Sequence, residues 1–223
     1  MSKADSKELW LKVHETIRRR ALTLGTATSN AYFSDPKMLA FIASRYKFVS
    51  KMLEGKSSVL EIGCGDAFGA PIVAAAVSRL IATDIHPETL EDCATRLKEI
   101  ANLNFEYFDF RTQCRSEKVD AIFSVDVWEH IFPEEEPEFF ANVTNSLKPN
   151  GILLTGTPNR HAEQFASEYS RLAHVNLKSP ESLRTLMLSK FQNCFMFGMN
   201  DEVVHTGFGK MSHYIWSLAV GPR

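Results

Sequence analysis

The chain has 223 residues, 44% of them hydrophobic and 23% charged, and a formal net charge of −2. That is enough for one α/β domain with an extension and a real core, and the acidic balance without a basic stripe argues against nucleic acid as the main partner. Cys64, Cys93, Cys114 and Cys194 lie far apart with no Cys-x-x-Cys pair, so a zinc or disulfide framework is not expected and a reducing compartment is. The polar start and the lack of a long apolar run predict neither a signal peptide nor a membrane span, and so a cytoplasmic protein.

Leu9, Leu11, Val13, Ile17 and Ala21, with Trp10 beside them, predict a helix over residues 6–24, stopped by Gly25. The densest positive spot, Arg18-Arg19-Arg20, falls on it together with acids. Residues 26–33 read as a polar loop containing Tyr32. Asp35-Pro36 opens a second helix whose apolar face runs from Met38 to Leu53, with Gly55 after it. A strand over 58–62, a glycine turn and a short helix over 71–77 follow. Further strands are expected at 79–84, 104–109, 120–126 and 152–157. Helices are expected at 86–101, 134–147 and 180–191, with a turn at Lys148-Pro149-Asn150-Gly151. The last strands, 193–199 and 213–220, lack a crossover helix and are expected to be an antiparallel edge pair. Alternating strands and helices give a Rossmann-like, doubly wound α/β sheet, mostly parallel, preceded by N-terminal helices.

The sequence turns on Val59-Leu60-Glu61-Ile62-Gly63-Cys64-Gly65-Asp66-Ala67-Phe68-Gly69. A strand entering a helix through a glycine turn makes a nucleotide-sized crevice. A dinucleotide fingerprint needs a third glycine where Phe68 stands, and that ring suits a ligand without a pyrophosphate. Asp84 ends the second strand, where ribose hydroxyls are held, and Asp109, followed by Phe110, ends the third, within reach of an adenine amino group. Either acid alone is an ordinary loop residue. Together, in register with the turn, they favour ribose plus adenine without phosphate.

These pieces, followed by Asp120-Ala121-Ile122-Phe123-Ser124-Val125-Asp126-Val127-Trp128-Glu129-His130-Ile131 and Leu147-Lys148-Pro149-Asn150-Gly151, resemble the seven-stranded, class I S-adenosylmethionine-dependent methyltransferases over residues 58–159. Ala67 and Asn150 stand where many members carry glycine, and both suit turns. The resemblance implies an S-adenosyl-L-methionine site, with S-adenosyl-L-homocysteine as product. Gly63 and Gly65 would let the backbone approach the methionyl part, Asp84 would hold the ribose and Asp109 the adenine, and the Val125 carbonyl would receive the amino group. Glu61, Ile85 and Phe110 complete the expected cofactor set. In the ubiquinone-biosynthesis O-methyltransferases, which the region also resembles, an arginine placed like Arg45 pairs the cofactor's carboxylate; the alternative for Arg45 is a surface residue.

Asp126, Glu129 and His130 converge if their segment is helical. Three readings stand: a divalent cation site, a general base at His130, or a group that frames the strand end. No metal is expected. His174 is a second proton-handling candidate or a plain loop histidine. The resemblance divides the chain into an N-terminal helical lid, 1–57, and a cofactor-binding domain, 58–223. Trp10, Tyr32 and Phe33 either line the pocket or belong to the core. The expected activity is methyl transfer to oxygen or nitrogen of a small-molecule acceptor. Its rivals are a non-catalytic binder of the same cofactor and, disfavoured by Phe68, an NAD-dependent oxidoreductase.

Overall fold

Val59–Ile62 (β1) and Leu80–Asp84 (β2) are buried at every residue, and Val119–Val125 (β4) at every residue but Asp120. Strands covered on both faces need no polar side, which is why these runs read as continuous apolar stretches. They form the centre of one sheet in the computed structural model, which describes residues 5–16 and 21–223. The other strands are Leu103–Tyr107 (β3), Leu147–Pro158 (β5), Phe191–Asn200 (β6), Val203–His205 (β7) and Tyr214–Pro222 (β8). The helices are Ser6–Thr16 (α1), Thr26–Ser34 (α2), Met38–Met52 (α3), Ala70–Ala74 (α4), Pro87–Arg96 (α5), Glu136–Asn145 (α6), Glu168–Ala173 (α7) and Pro180–Leu188 (α8).

The strand order is β3-β2-β1-β4-β5-β8-β6-β7. The first five strands in this order are parallel; β8 runs antiparallel to both β5 and β6, and β7 antiparallel to β6. Side chains alternate across the pleat, so neighbouring residues feed different layers. Val59, Leu80, Ala82 and Phe123 pack with Tyr46, Val49 and Leu53 of α3 and with α4 and α5. Leu60, Ile62, Ile81 and Ile122 pack with Trp128, with Phe139, Phe140 and Val143 of α6, and with Leu183 and Met187 of α8. The chain lays β2 and β3 on one side of β1 and then returns to the other side for β4. That reversal opens a crevice at the carboxyl ends of β1 and β4.

Several local expectations change. Of the first expected helix, Ser6–Thr16 is helical and residues 21–25 are not, while Ile17 and Arg18-Arg19-Arg20 lie outside the described residues. The expected loop 26–33 is α2. The expected turn at 148–151 is a bulge inside β5, where pairing steps from Val119↔Leu147 to Ala121↔Ile152. The third strand stops at Tyr107, leaving Asp109 in the loop beyond it. The final antiparallel pair is present, but β8 lies inside the sheet and the unexpected β7 takes the edge. Trp10, Tyr32 and Phe33 are 70%, 49% and 86% exposed, so none of them is core. Among the described residues no helix is long and apolar enough to cross a membrane.

Candidate active site

The loop after β1 carries three residues in the left-handed region, Gly63, Gly65 and Ala67, at φ +70°, +53° and +57°. At Gly63 a Cβ would lie 2.5 Å from Cγ2 of Val127, so glycine is what lets the β1 and β4 loops meet. At Gly65 the same position is open space. Asp84 holds this turn from the end of β2. Its carboxylate accepts the backbone N–H groups of Gly65 (2.9 Å), Ile85 (2.7 Å) and His86 (3.1 Å).

Gly63, Gly65, Asp84, Ile85, Asp109, Phe110 and His130 line one cavity of about 360 Å³. Gly63, Gly65 and Val125 also border a second, of about 300 Å³, closed over by Ala27 and Thr28 of α2 and by Ile42 and Tyr46 of α3. Asp126 borders both. Arg45 and His174 line a third, of about 530 Å³, with Phe165, Leu177 and Tyr214. Glu61 lies beneath the turn, fully buried, accepting the Tyr46 hydroxyl at 2.6 Å; its other carboxylate oxygen has no partner. Burial pushes Glu61 up to about 8 despite that hydrogen bond. Asp109 is held by Arg111 through its backbone N–H (2.9 Å), Nε (3.0 Å) and Nη2 (2.8 Å). These hydrogen bonds, led by the Arg111 side chain, keep its carboxyl below the usual range.

Beyond β4, Asp126 sits at φ +56° and forms an ion pair with Arg45, whose guanidinium lies 4.0 Å from the centre of the Tyr214 ring. Burial works against the charge on Arg45, but Asp126, Tyr214 and Glu129 outweigh it and raise its pKa. The chain then makes one 3-10 turn, Trp128–His130. Glu129 is fully buried; Thr157 of β5 donates to its Oε2 at 3.0 Å, and Oε1 has no partner. Burial, with Asp126 adding to it, pushes Glu129 up to about 8. His130 Nδ1 lies 2.9 Å from the Ala173 carbonyl. A carbonyl only accepts, so Nδ1 carries the hydrogen, and Nε2 of the neutral ring keeps its lone pair.

The segment carrying His174 is pinned beside this turn. Glu136 Oε1 accepts from Trp128 Nε1 at 2.7 Å and Asn176 Nδ2 at 2.9 Å and forms an ion pair with Lys178, and the Asn176 N–H donates to the Glu129 carbonyl at 3.0 Å. The His130 and His174 rings therefore stand 5.3 Å apart. Burial, and then His130, lower the pKa of His174.

Of the expected site residues, Gly63, Gly65, Asp84, Ile85, Asp109, Phe110 and His130 share the first cavity, Val125 borders the second, Arg45 and His174 line the third, and Glu61 lies beneath the turn. Sequence reasoning missed Arg111, Tyr46, Asp66, Thr28, Thr157 and Glu136. Only Arg111 left a signal, a cation two residues from Asp109. Asp66 lies in the glycine turn but acts through Thr28, and the others meet the site through distant strands and helices.

Residues 60–155 match the family model described as a methyltransferase domain. A probable S-adenosylmethionine-dependent methyltransferase of Mycolicibacterium smegmatis is 28% identical over 46% of this chain and 38% of its own length. A ubiquinone biosynthesis O-methyltransferase of Rickettsia felis is 29% identical over 56% of this chain and 48% of its own. The chain thus spans less than half the length of these two relatives. In fold it is similar to the N-methyltransferase NodS of Bradyrhizobium japonicum in complex with S-adenosyl-L-homocysteine, with a TM-score of 0.61 and 18% identity over 81% of this chain and 86% of that one. The glycine turn, the acids at and just beyond the ends of successive strands and the matched domain agree: residues 60–155 are similar to the methyltransferase domain of S-adenosylmethionine-dependent methyltransferases.

Proposed function

We propose that the protein transfers a methyl group from S-adenosylmethionine to a hydroxyl oxygen of a small, partly apolar molecule. The observation that carries this reading is the His130–His174 pair. The two rings stand 5.3 Å apart, His130 lining the 360 Å³ cavity and His174 the 530 Å³ one. In this reading the adenosine part fills the first cavity, against Asp84, Ile85, Asp109 and Phe110. The methionyl part lies under α2 and α3, near Gly63, Gly65, Glu61 and the Val125 carbonyl, and the acceptor occupies the third cavity. Arg45 already has Asp126 as its counter-ion, so it meets the cofactor carboxylate only by sharing its guanidinium. Both Asp109 oxygens already accept from Arg111, so Asp109 contacts adenine only through a remaining lone pair. Residues 26–52 serve as the lid.

In the reaction the acceptor oxygen attacks the methyl carbon in line with the sulfonium. The S–CH3 bond breaks as the O–CH3 bond forms, and neutral S-adenosyl-L-homocysteine leaves. The sulfonium supplies the driving force, so the protein chiefly orients the two partners, an effect of about 7–11 kcal/mol at best. A hydroxyl is a poor nucleophile until it loses its proton, and the imidazole pair is where that loss is handled. A ubiquinone-pathway relative named an O-methyltransferase supports oxygen over nitrogen.

Calorimetry with S-adenosyl-L-homocysteine and NAD tests the cofactor; binding of NAD alone would overturn the reading. His130→Ala is expected to keep its affinity for S-adenosyl-L-homocysteine while turnover falls by about 10²–10⁴-fold. A fully active variant would reduce His130 to framing the strand end.

A further inference from the structure

In the 530 Å³ cavity assigned to the acceptor, most polar walls are already engaged. Arg45 pairs with Asp126, and its guanidinium covers the Tyr214 ring. The Asn159 side chain donates to the carbonyls of Gly209 and Ser212 and accepts the His161 N–H. The Ser170 hydroxyl lies 2.9 Å from that of Ser167. Burial, and then Arg45, lower the pKa of His213; burial, and then His130, lower that of His174. Both rings are therefore neutral at pH 7 and bring no positive charge. Glu163 is the exception. It lines the cavity from the 3-10 segment Arg160–Phe165, and among the described residues its carboxylate has no hydrogen bond and no ion pair. Its field reaches the reacting end, since Glu163 is one of the groups that pull the His174 pKa upward against burial.

We propose that the acceptor is a hydroxylated amine: beside the hydroxyl that is methylated it carries a protonated amine, and Glu163 is the counter-ion that selects it. The inference rests on the O-methyl reading and names the class of molecule for the same cavity. Glu163 faces a space whose other walls, among them Pro158, Ala166 and Leu177, are apolar. A partly apolar molecule that fills this space displaces the water around the carboxylate, and a carboxylate that loses water needs a donor or a cation in exchange. An ammonium is both, through a charge-assisted hydrogen bond. Phe165 lines the same cavity and is 81% exposed, which leaves its ring open to the same cation. The charge also decides between nucleophiles. An ammonium has no lone pair, so the ion pair withholds the nitrogen from the sulfonium and leaves the hydroxyl to attack.

The test is calorimetry on the full chain saturated with S-adenosyl-L-homocysteine, using three phenols of similar size and different charge: tyramine, 4-ethylphenol and 3-(4-hydroxyphenyl)propanoate. Tyramine is expected to bind about tenfold more tightly than 4-ethylphenol, the worth of a hydrogen bond to a charged group, and the propanoate more weakly than either. In Glu163→Gln the preference for tyramine should shrink to about threefold or less while 4-ethylphenol binds as in the parent, and in Glu163→Lys the propanoate should become the best of the three. A merely structural role for Glu163 would weaken all three ligands together. Equal affinities in the parent, a preference for the propanoate, a tyramine preference that survives in Glu163→Gln, or binding of none of the three overturns the amine site. If S-adenosyl-L-homocysteine binds the parent chain in those cases, the methyltransferase reading stands; failure of that binding would overturn the methyltransferase reading instead.

Discussion

Glu61 is a carboxyl sealed under the cofactor turn with one hydrogen bond, from Tyr46, and one oxygen unmatched. Its pKa is raised from about 4.5 to about 8, so the folded state holds this proton more tightly than the unfolded chain does. Its stabilising effect is therefore complete below about pH 4.5 and is lost as pH rises toward about 8, and Glu129 acts in the same direction. Urea melts of the ligand-free protein should show stability falling between pH 5 and pH 8. Glu61→Gln, which still accepts the Tyr46 hydroxyl, should flatten part of that slope; a slope parallel to that of the parent would mean that Glu61 titrates normally. Other side chains at the turn are matched more fully. Asp84 already accepts three backbone N–H groups, so its place at the crevice is set before any ribose arrives.

At the scale of an element, α2 shows what a sequence can and cannot disclose. The run Thr-Ala-Thr-Ser-Asn-Ala-Tyr-Phe-Ser has little amphipathic pattern and no capping side chain of its own, so it reads as loop. The cap comes from elsewhere. Asp66, in the glycine turn, accepts the Thr28 N–H at 2.7 Å and the Thr28 hydroxyl at 2.8 Å. Its charge also suits the positive end of the helix. Gly25 permits the approach, since a Cβ there would fall 2.4 Å from the Asp66 Cβ. Asp66→Ala is expected to cost about 1 kcal/mol of stability and to speed dissociation of S-adenosyl-L-homocysteine, read by stopped flow. An unchanged off-rate would separate α2 from cofactor retention. The contrast with β1, β2 and β4 is physical. Their burial is written in consecutive apolar residues, and Gly63, Gly65, Asp84 and Asp109 sit close to strand ends, so the crevice they line was legible. The union of His130 with His174 was not, because it depends on Glu136, Asn176 and Lys178 meeting across segments with no periodic pattern.

For the whole molecule, the strand order decides which parts depend on which. The parallel half, β1 to β5, is built from strands consecutive in the chain, whereas β6 reaches the main sheet only through β8. Until β8 enters, β5 presents an unpaired edge and the β6–β7 hairpin has no sheet to join, the arrangement most open to wrong pairing. All the residues assigned to the cofactor lie between Arg45 and Val125, in the part that does not wait for β8. A ligand that binds the partly folded chain shifts its equilibrium by mass action. Dilution from denaturant in the presence of S-adenosyl-L-homocysteine should therefore raise the yield of refolded protein and cut aggregation, and an unchanged yield would place cofactor binding after closure of the sheet. A raised yield would make the methyl donor a folding aid during synthesis, able to grip the nascent crevice before its neighbour edge is covered.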